Sequence, residues 1–274
     1  MTALSPPPAL PDIGPVRARR RLFATPRAIT ALMLREMSTS YGRSPGGYIW
    51  AVLEPAAGIA LLTAIFATGF RAPSLGTNFA IFYATGILPF YLYLMTSNVV
   101  MQSVMFSRQL LAYPSVTFVD AILARFLLQL LTQLLVSYIL FSFIIGMFDT
   151  RTSLEFDRLL LAYAMAASLG LGVGVLNCFL RSMFPVWQQV WGIMTRPLLL
   201  VSGVIFLIER IPEPYRGWLE YNPLVHVVGM SRTAFYPYYN PQNIDPVYVF
   251  SVSLIALVTG LVFLRRYKHD ILHY

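Results

Sequence analysis

"LREMSTSYGRSPGGYIWAVLEP", residues 34–55, sets Arg35, Glu36, Tyr41 and Arg43 on a polar approach, turns at Pro45-Gly46-Gly47, and carries Glu54 and Pro55 into an apolar run. Upstream, "PRAITALMLREMSTSY" (26–41) opens with a proline suited to a first helical turn and repeats Ile29, Leu32, Met33 and Met37 at helical spacing. This predicts an amphipathic helix within residues 26–44, lying on the cytoplasmic face of a membrane. The turn through Gly42, Pro45, Gly46 and Gly47 gives the chain freedom to swing from surface to interior. A carboxylate two turns into a span is costly unless paired, protonated or wetted, so Glu54 must face protein or water. Either it partners an arginine or a backbone donor freed near Pro55, or it stands at the mouth of a hydrated pathway.

The rest of the chain fits that entry. Of 274 residues, 57% are hydrophobic and 12% charged, which excludes an ordinary soluble domain. The formal charge of +8 does not indicate nucleic acid, because the basic residues sit in short clusters beside apolar runs. The single cysteine, Cys178, lies in an apolar stretch and excludes an internal disulfide. Residues 1–25, rich in Pro, Ala and Arg, lack the apolar core of a secretory signal and read as a disordered cytoplasmic tail.

A span needs about 20 apolar residues. Such runs fall at about 48–70, 79–101, 121–147, 158–180, 186–208 and 247–264 within a transmembrane domain of residues 45–274. Six spans put both termini on one side. Arg17, Arg19, Arg20, Arg21, Arg27, Arg35, Arg43, Arg108, Arg125, Arg181, Arg265, Arg266 and Lys268 share that side; Arg71, Arg151, Arg158, Arg210, Arg216 and Arg232 lie opposite, and Arg196 sits within the fifth span. The bias makes both termini cytoplasmic.

The loops at 71–78 and 148–157 are short, whereas 209–246 can hold structure of its own. Prolines divide that segment into pieces near 213–221 and 223–236, each suited to a helix that enters the membrane and returns. Its Trp218, Tyr221, Phe235, Tyr236, Tyr238 and Tyr239 suit the water–lipid boundary; they serve either as anchors or as a ring on which sugars or a lipid head stack. On the cytoplasmic side, "SRQLLAYPSVTFVDAILAR" predicts a short helix over about 104–112, ended by Tyr113-Pro114. Two such cytoplasmic helices form a platform for a soluble partner. A route for a polymer favours aromatic lining; Tyr83, Phe90, Tyr91 and Tyr93, with Trp187 and Trp191, are candidates, although aromatics in membrane helices also pack against neighbours.

These segments resemble the permease subunit of polysaccharide-export ABC transporters of the ABC-2 type, nearest the capsule-export branch. The resemblance rests on "LRE", "YGR" and "GYIWAVLEP" within 34–55, "YPSVTFVDAILAR" at 113–125, "FPVWQQV" at 184–190, "RPLLLVSGVIF" at 196–206, and "YNPLVH" with Arg232 downstream. It implies an all-α polytopic fold with six spans, an N-terminal interface helix, a coupling helix and paired re-entrant helices before the last span, the type V exporter arrangement. The implied assembly is a homodimer with two copies of a separate ATPase that holds the ATP and Mg, no cofactor on this chain, and a periplasmic co-polymerase as a further partner. The implied cargo is a lipid-linked capsular polysaccharide, or an O-antigen or related glycan, crossing the bacterial inner membrane. Carried over by residue, Arg35, Glu36, Tyr41 and Arg43 contact the ATPase, as do Arg108, Gln109 and Tyr113 on the coupling helix. Asn222, Pro223 and His226 fall on the re-entrant segment. Glu54, Arg196, Trp218, Tyr221 and Arg232 are further pathway or gate candidates. Two positions depart from the pattern: Pro45-Gly46 before the Gly-Tyr pair, and Gly229 where glutamate is common.

Other classes fit less well. A phosphate-binding loop needs a Gly-rich turn and a lysine, and the only lysine is Lys268. His226, His269 and His273 make no metal-ligand constellation. A membrane glycosyltransferase would want carboxylates in the first external loop, where "RAPSLGTN" has none; Asp149, Glu155 and Asp157 in the second loop sit beside Arg151 and Arg158. A non-catalytic scaffold would not need Glu54, Arg196 or a long external segment.

Overall fold

A computed structural model describes residues 24–38, 47–111, 117–241 and 243–267. Its regular structure is helical: α1 (Ala24–Glu36), α2 (Gly47–Gly69), α3 (Phe79–Met101), α4 (Ser103–Leu111), α5 (Phe118–Met147), α6 (Phe156–Met183), α7 (Trp187–Thr195), α8 (Leu198–Val201), a 3₁₀ turn (Ile208–Arg210), α9 (Tyr215–Glu220), α10 (Pro223–Phe235) and α11 (Pro246–Arg266). Among the described residues five helices, α2, α3, α5, α6 and α11, are long and apolar enough to cross a bilayer.

Helix α3 is the hub. Its start is fixed by Asn78, whose side chain accepts the Ala80 amide at 2.8 Å, and it is buried along most of its length against α2, α5, α6 and α10. The glycines of α6 explain how its neighbours approach. A Cβ on Gly170 or Gly174, one turn apart, would press on Thr96 and Val100 of α3, whereas one on Gly172 would meet the Ser253 backbone of α11. On α11, Gly260 faces the Val175 and Leu176 backbone of α6 in return. Small residues thus let three helices close to backbone contact. Helix α5 begins with a capping box, Thr117 N–H donating to Asp120 at 2.9 Å and Asp120 N–H to the Thr117 hydroxyl at 3.2 Å.

The run expected as a fifth span, 186–208, is not one helix. It is α7, then α8, then a turn with Gly203 at φ +70°. Pro197 lacks an amide proton and its ring crowds the carbonyl one turn back, which separates α7 from α8. The segment nevertheless runs the length of the bundle: Trp191 bonds Asn98 near the last turn of α3, Val204 lies against Gly86 in the first third of α3, and Arg210 reaches the Ser74 carbonyl before α3 begins. It lies along α3 as a broken helix.

Candidate functional site

The two ends of the bundle carry the charged machinery. At the end where α1, α4 and the start of α5 meet, Arg125 of α5 directs both Nε and Nη2 at Oε1 of Glu36, each at 2.7 Å. Both side chains are buried. The Arg125 guanidinium also stands 4.4 Å from the centroid of Phe106 on α4, and that of Arg35 lies 5.4 Å from the same ring. A carboxylate, two guanidiniums and one aromatic ring therefore join the surface helix, the short α4 and a long span. Cation–π contacts gain strength when desolvated, and neither member of a buried ion pair can be taken away without stranding the other's charge.

Of the residues expected to contact a soluble partner, Glu36 is turned inward onto Arg125 rather than outward. Arg108 and Gln109 fall on α4, while Tyr41, Arg43, Tyr113 and the Pro45-Gly46 turn lie outside the described residues. Arg125 was read from sequence only as a charge flanking a span; its pairing joins positions 89 residues apart.

At the other end, Arg232 of α10 is among the most enclosed side chains in the molecule, 2% exposed. Its Nη2 donates to the Val204 carbonyl at 2.8 Å and Nη1 to that of Phe206 at 3.2 Å, with the guanidinium 4.4 Å from the Phe82 ring centroid. Those carbonyls belong to the non-helical stretch after α8 and have lost the partners a helix would give them. Irregular backbone at membrane depth persists only where protein satisfies it, and Arg232 does so here. Asn222 helps: it caps α10 by accepting the Leu224 amide at 3.1 Å and donates to the Val201 carbonyl at 3.3 Å and the Ser202 hydroxyl at 3.2 Å.

His226 binds the rest of this cap. A carbonyl only accepts and an amide only donates, so the Nε2 contact to Glu220 O (2.9 Å) and the Asp245 amide on Nδ1 (3.1 Å) fix the neutral, Nε2-protonated tautomer. Glu220 meanwhile holds Arg216 at 2.9 Å and Asn243 at 2.7 Å, and the Tyr248 hydroxyl reaches the Tyr221 carbonyl at 2.7 Å. Tyr239 donates to Glu209 at 2.6 Å; burial first, then that carboxylate, push its phenol well above the usual range. A side chain on Gly229 would meet Ile244, which fills the place where a glutamate would project.

The aromatic candidates divide. Tyr83, Phe90 and Tyr93 are enclosed in the core of a single subunit, and Tyr91 stays half-exposed. Trp187 and Trp191 fasten α7 to its neighbours, their indole N–H groups donating to Asn177 at 2.9 Å and Asn98 at 3.1 Å. Trp218 and Tyr221 are exposed on the cap. Glu54 and Arg196 are also exposed, and neither has an ion-pair partner among the described residues.

A multi-span helical bundle with short helices bolted to its long helices at one end and a hydrogen-bonded cap on a broken helix at the other defines a membrane transport component. The chain belongs to the ABC-2 type transporter membrane family, which it matches over residues 27–236. It is 32% identical over 245 residues to the polysialic acid transport protein KpsM of Escherichia coli, covering 89% of this chain and 95% of that one. Identity is 26% over 255 residues to the capsule polysaccharide export inner-membrane protein CtrC of Neisseria meningitidis, covering 91% and 94%. It is 27% over 253 residues to the corresponding BexB of Haemophilus influenzae, covering 89% and 92%.

Proposed function

We propose that this chain is the membrane-spanning permease of an ATP-driven exporter that moves a lipid-linked capsular polysaccharide across the bacterial inner membrane. It works as a homodimer with two copies of a separate ATPase subunit, both termini on the cytoplasmic side, and with a periplasmic co-polymerase receiving the glycan. ATP and Mg belong to the ATPase; this chain contributes no covalent chemistry. The names of relatives matched over nearly their whole length support the cargo. The observation that carries the mechanism is the Glu36–Arg125–Phe106 junction. A push delivered to α1 or α4 by a closing ATPase cannot be absorbed there, because both helices are tied to α5.

Helices α9 and α10 then act as a re-entrant gate hinged at Asn222-Pro223 and pinned by Arg232 to the broken span. An O-antigen or other lipid-linked glycan is the alternative cargo for the same machine. The glycosyltransferase reading loses support from the second external loop, where Arg151 pairs with Asp149 at 3.4 Å and Arg158 with Glu155 at 2.7 Å.

The test is deletion of the gene in its host, scored by surface polysaccharide, together with purification of the tagged chain in mild detergent. Loss of surface glycan with glycan retained inside the cell, and co-purification of an ATPase in equal stoichiometry, are the expected results. An unchanged surface, or a chain that never brings an ATPase with it, overturns the proposal.

A further inference from the structure

A lateral cavity of about 540 Å³ opens between α5 and α6, lined by Leu134, Phe141, Leu160 and Phe235 and by two hydroxyl side chains, Ser137 and Tyr163. The Glu155 amide, just before α6, donates to the Ala234 carbonyl near the end of α10 at 2.8 Å, and the neighbouring Phe235 ring lies 4.6 Å from that of Phe141 on α5. The start of α6 is thereby held beside Phe141. Ser137 lies one turn along α5 from Phe141, and a tyrosine two turns into α6 leans back toward the helix start, so the two hydroxyls approach each other across the cavity. The side chains are 4% and 6% exposed, yet neither hydroxyl makes a hydrogen bond among the described residues. Even a bond between them would use one of their two protons and leave the other without an acceptor. A buried donor left in that state is costly, and the apolar walls offer nothing to relieve it.

The occupant that suits this cavity is apolar along most of its length and brings an acceptor to one point. Its volume falls in the range of small-molecule sites, about 300–1,000 Å³. To one side of the hydroxyls the exposed face of α5 continues as Leu135, Leu131 and Leu127; to the other the rim carries both signs of charge, Arg158 paired with Glu155 at 2.7 Å. A diacyl phospholipid has the same order of parts: a charged head, ester carbonyls that accept and do not donate, then hydrocarbon. A helix of a partner chain would cover the apolar wall, but its carbonyls are already bonded within it, so the hydroxyls would stay unsatisfied. We infer that one phospholipid of the surrounding membrane is held between α5 and α6, an ester carbonyl accepting from the Ser137–Tyr163 pair, the head at the Arg158–Glu155 rim and an acyl chain along the leucines of α5. It rests on Phe141 and Phe235, the contact through which α5 holds α10.

The inference goes beyond the export reading and needs only that α5 and α6, both long and apolar enough, lie in a bilayer. The full chain with its ATPase is reconstituted in vesicles of phosphatidylethanolamine and phosphatidylglycerol containing phosphatidylethanolamine with a photoreactive diazirine in one acyl chain, irradiated, and mapped by mass spectrometry. Adducts on residues 134–146 and 154–163 should exceed several-fold those on the exposed α11 face at Leu254 and Ile255, which meets only passing lipid. Gly146 lines the cavity and a Cβ there meets nothing within 4 Å, so Gly146→Trp fills the opening without a clash and should bring labelling down to the α11 level. Combining Ser137→Ala with Tyr163→Phe should lower it about threefold to tenfold, the worth of one hydrogen bond. The ether-linked form of the probe, which lacks the carbonyl, should label the wild type as weakly as the ester form labels that double variant. Labelling no greater than on α11, equal labelling by ester and ether probes, or a cavity labelled in the isolated chain and protected in the complex overturns the inference. The vesicles hold no glycan, so the result stands or falls apart from the export reading.

Discussion

Replacing Glu36 by Gln should release the surface helix while the bundle stays folded. Arg125 would remain buried without a counter-charge, a change that costs about 3–5 kcal/mol where one partner of a buried pair is removed. The amide oxygen of Gln keeps one hydrogen bond, worth about 1 kcal/mol, so the net weakening is about 2–4 kcal/mol. The Phe106 contact with Arg125 survives, and so does the Thr117–Asp120 cap of α5, because neither involves residue 36. The loss should therefore fall on the docking of α1 alone. At about 1.4 kcal/mol per factor of ten, the open population of α1 rises roughly 30- to 700-fold. Hydrogen exchange on the purified permease–ATPase complex in nanodiscs measures this directly, over amides 24–38 for α1 and over 118–147 for α5 as the internal control. The reciprocal swap Glu36→Arg with Arg125→Glu should recover most of the protection. Exchange over 24–38 within threefold of wild type in Glu36→Gln would refute the reasoning, since the pair would then not be what holds α1.

Three further outcomes follow from the same geometry. Arg232→Met should remove two charge-assisted hydrogen bonds from the Val204 and Phe206 carbonyls, a loss of about 3 kcal/mol, and lower the melting temperature in fluorescence-detected size exclusion by roughly 6–12 °C; Arg232→Lys, which keeps the charge but not the fork, should fall between. Gly172→Val should separate α6 from α11 and cost at least 1–3 kcal/mol by overpacking (about that range for well-packed cores), whereas Gly192→Ala, with nothing within 4 Å, should be neutral or slightly stabilising in the same assay. His226→Gln, which can still donate and accept, should retain the outer cap, and His226→Ala should open it to added protease near residues 220–245.

Much of this architecture was legible because span recognition asks only for length and apolarity. Helices α2, α3, α5, α6 and α11 answer that test, and α1 announced itself through its periodicity. Residues 186–208 answered it too, since Val, Ile and Leu at 198–206 are as apolar whether or not they are helical; only Pro197 and Gly203 carried the contrary signal. The functional side chains were harder for a different reason. Glu36 meets Arg125 across 89 residues, and Arg232 meets its two carbonyls across 28 and 26, separations at which no local pattern exists. Arg232 was named in sequence as a pathway or gate candidate downstream of the YNPLVH motif; that it satisfies backbone carbonyls could be seen only once the broken helix was beside it. For the aromatic candidates two readings stood in the sequence, lining and packing. Tyr83, Phe90 and Tyr93 have the chemistry of a sugar-lined route, but α3 is surrounded by neighbours, so these rings pack the core of one subunit.

The two charged assemblies are joined by one element. Helix α5 carries Arg125 near its first turns and Phe141 near its last, and the Phe141 ring lies 4.6 Å from that of Phe235, the final residue of α10. Sixteen residues of helix separate those contacts, about 24 Å of rigid rod. At the far end α10 is fixed through Arg232 to the broken helix, whose exposed face bears Arg196. A displacement of α1 relative to the bundle therefore has a continuous solid route, α1 to α5 to α10 to the broken helix. Interior packing of this density resists gradual deformation, so the element that can give way is the one whose backbone is already broken. On this account Arg232 does two jobs with one side chain: it makes the break tolerable in a membrane, and it makes the break move with the outer cap.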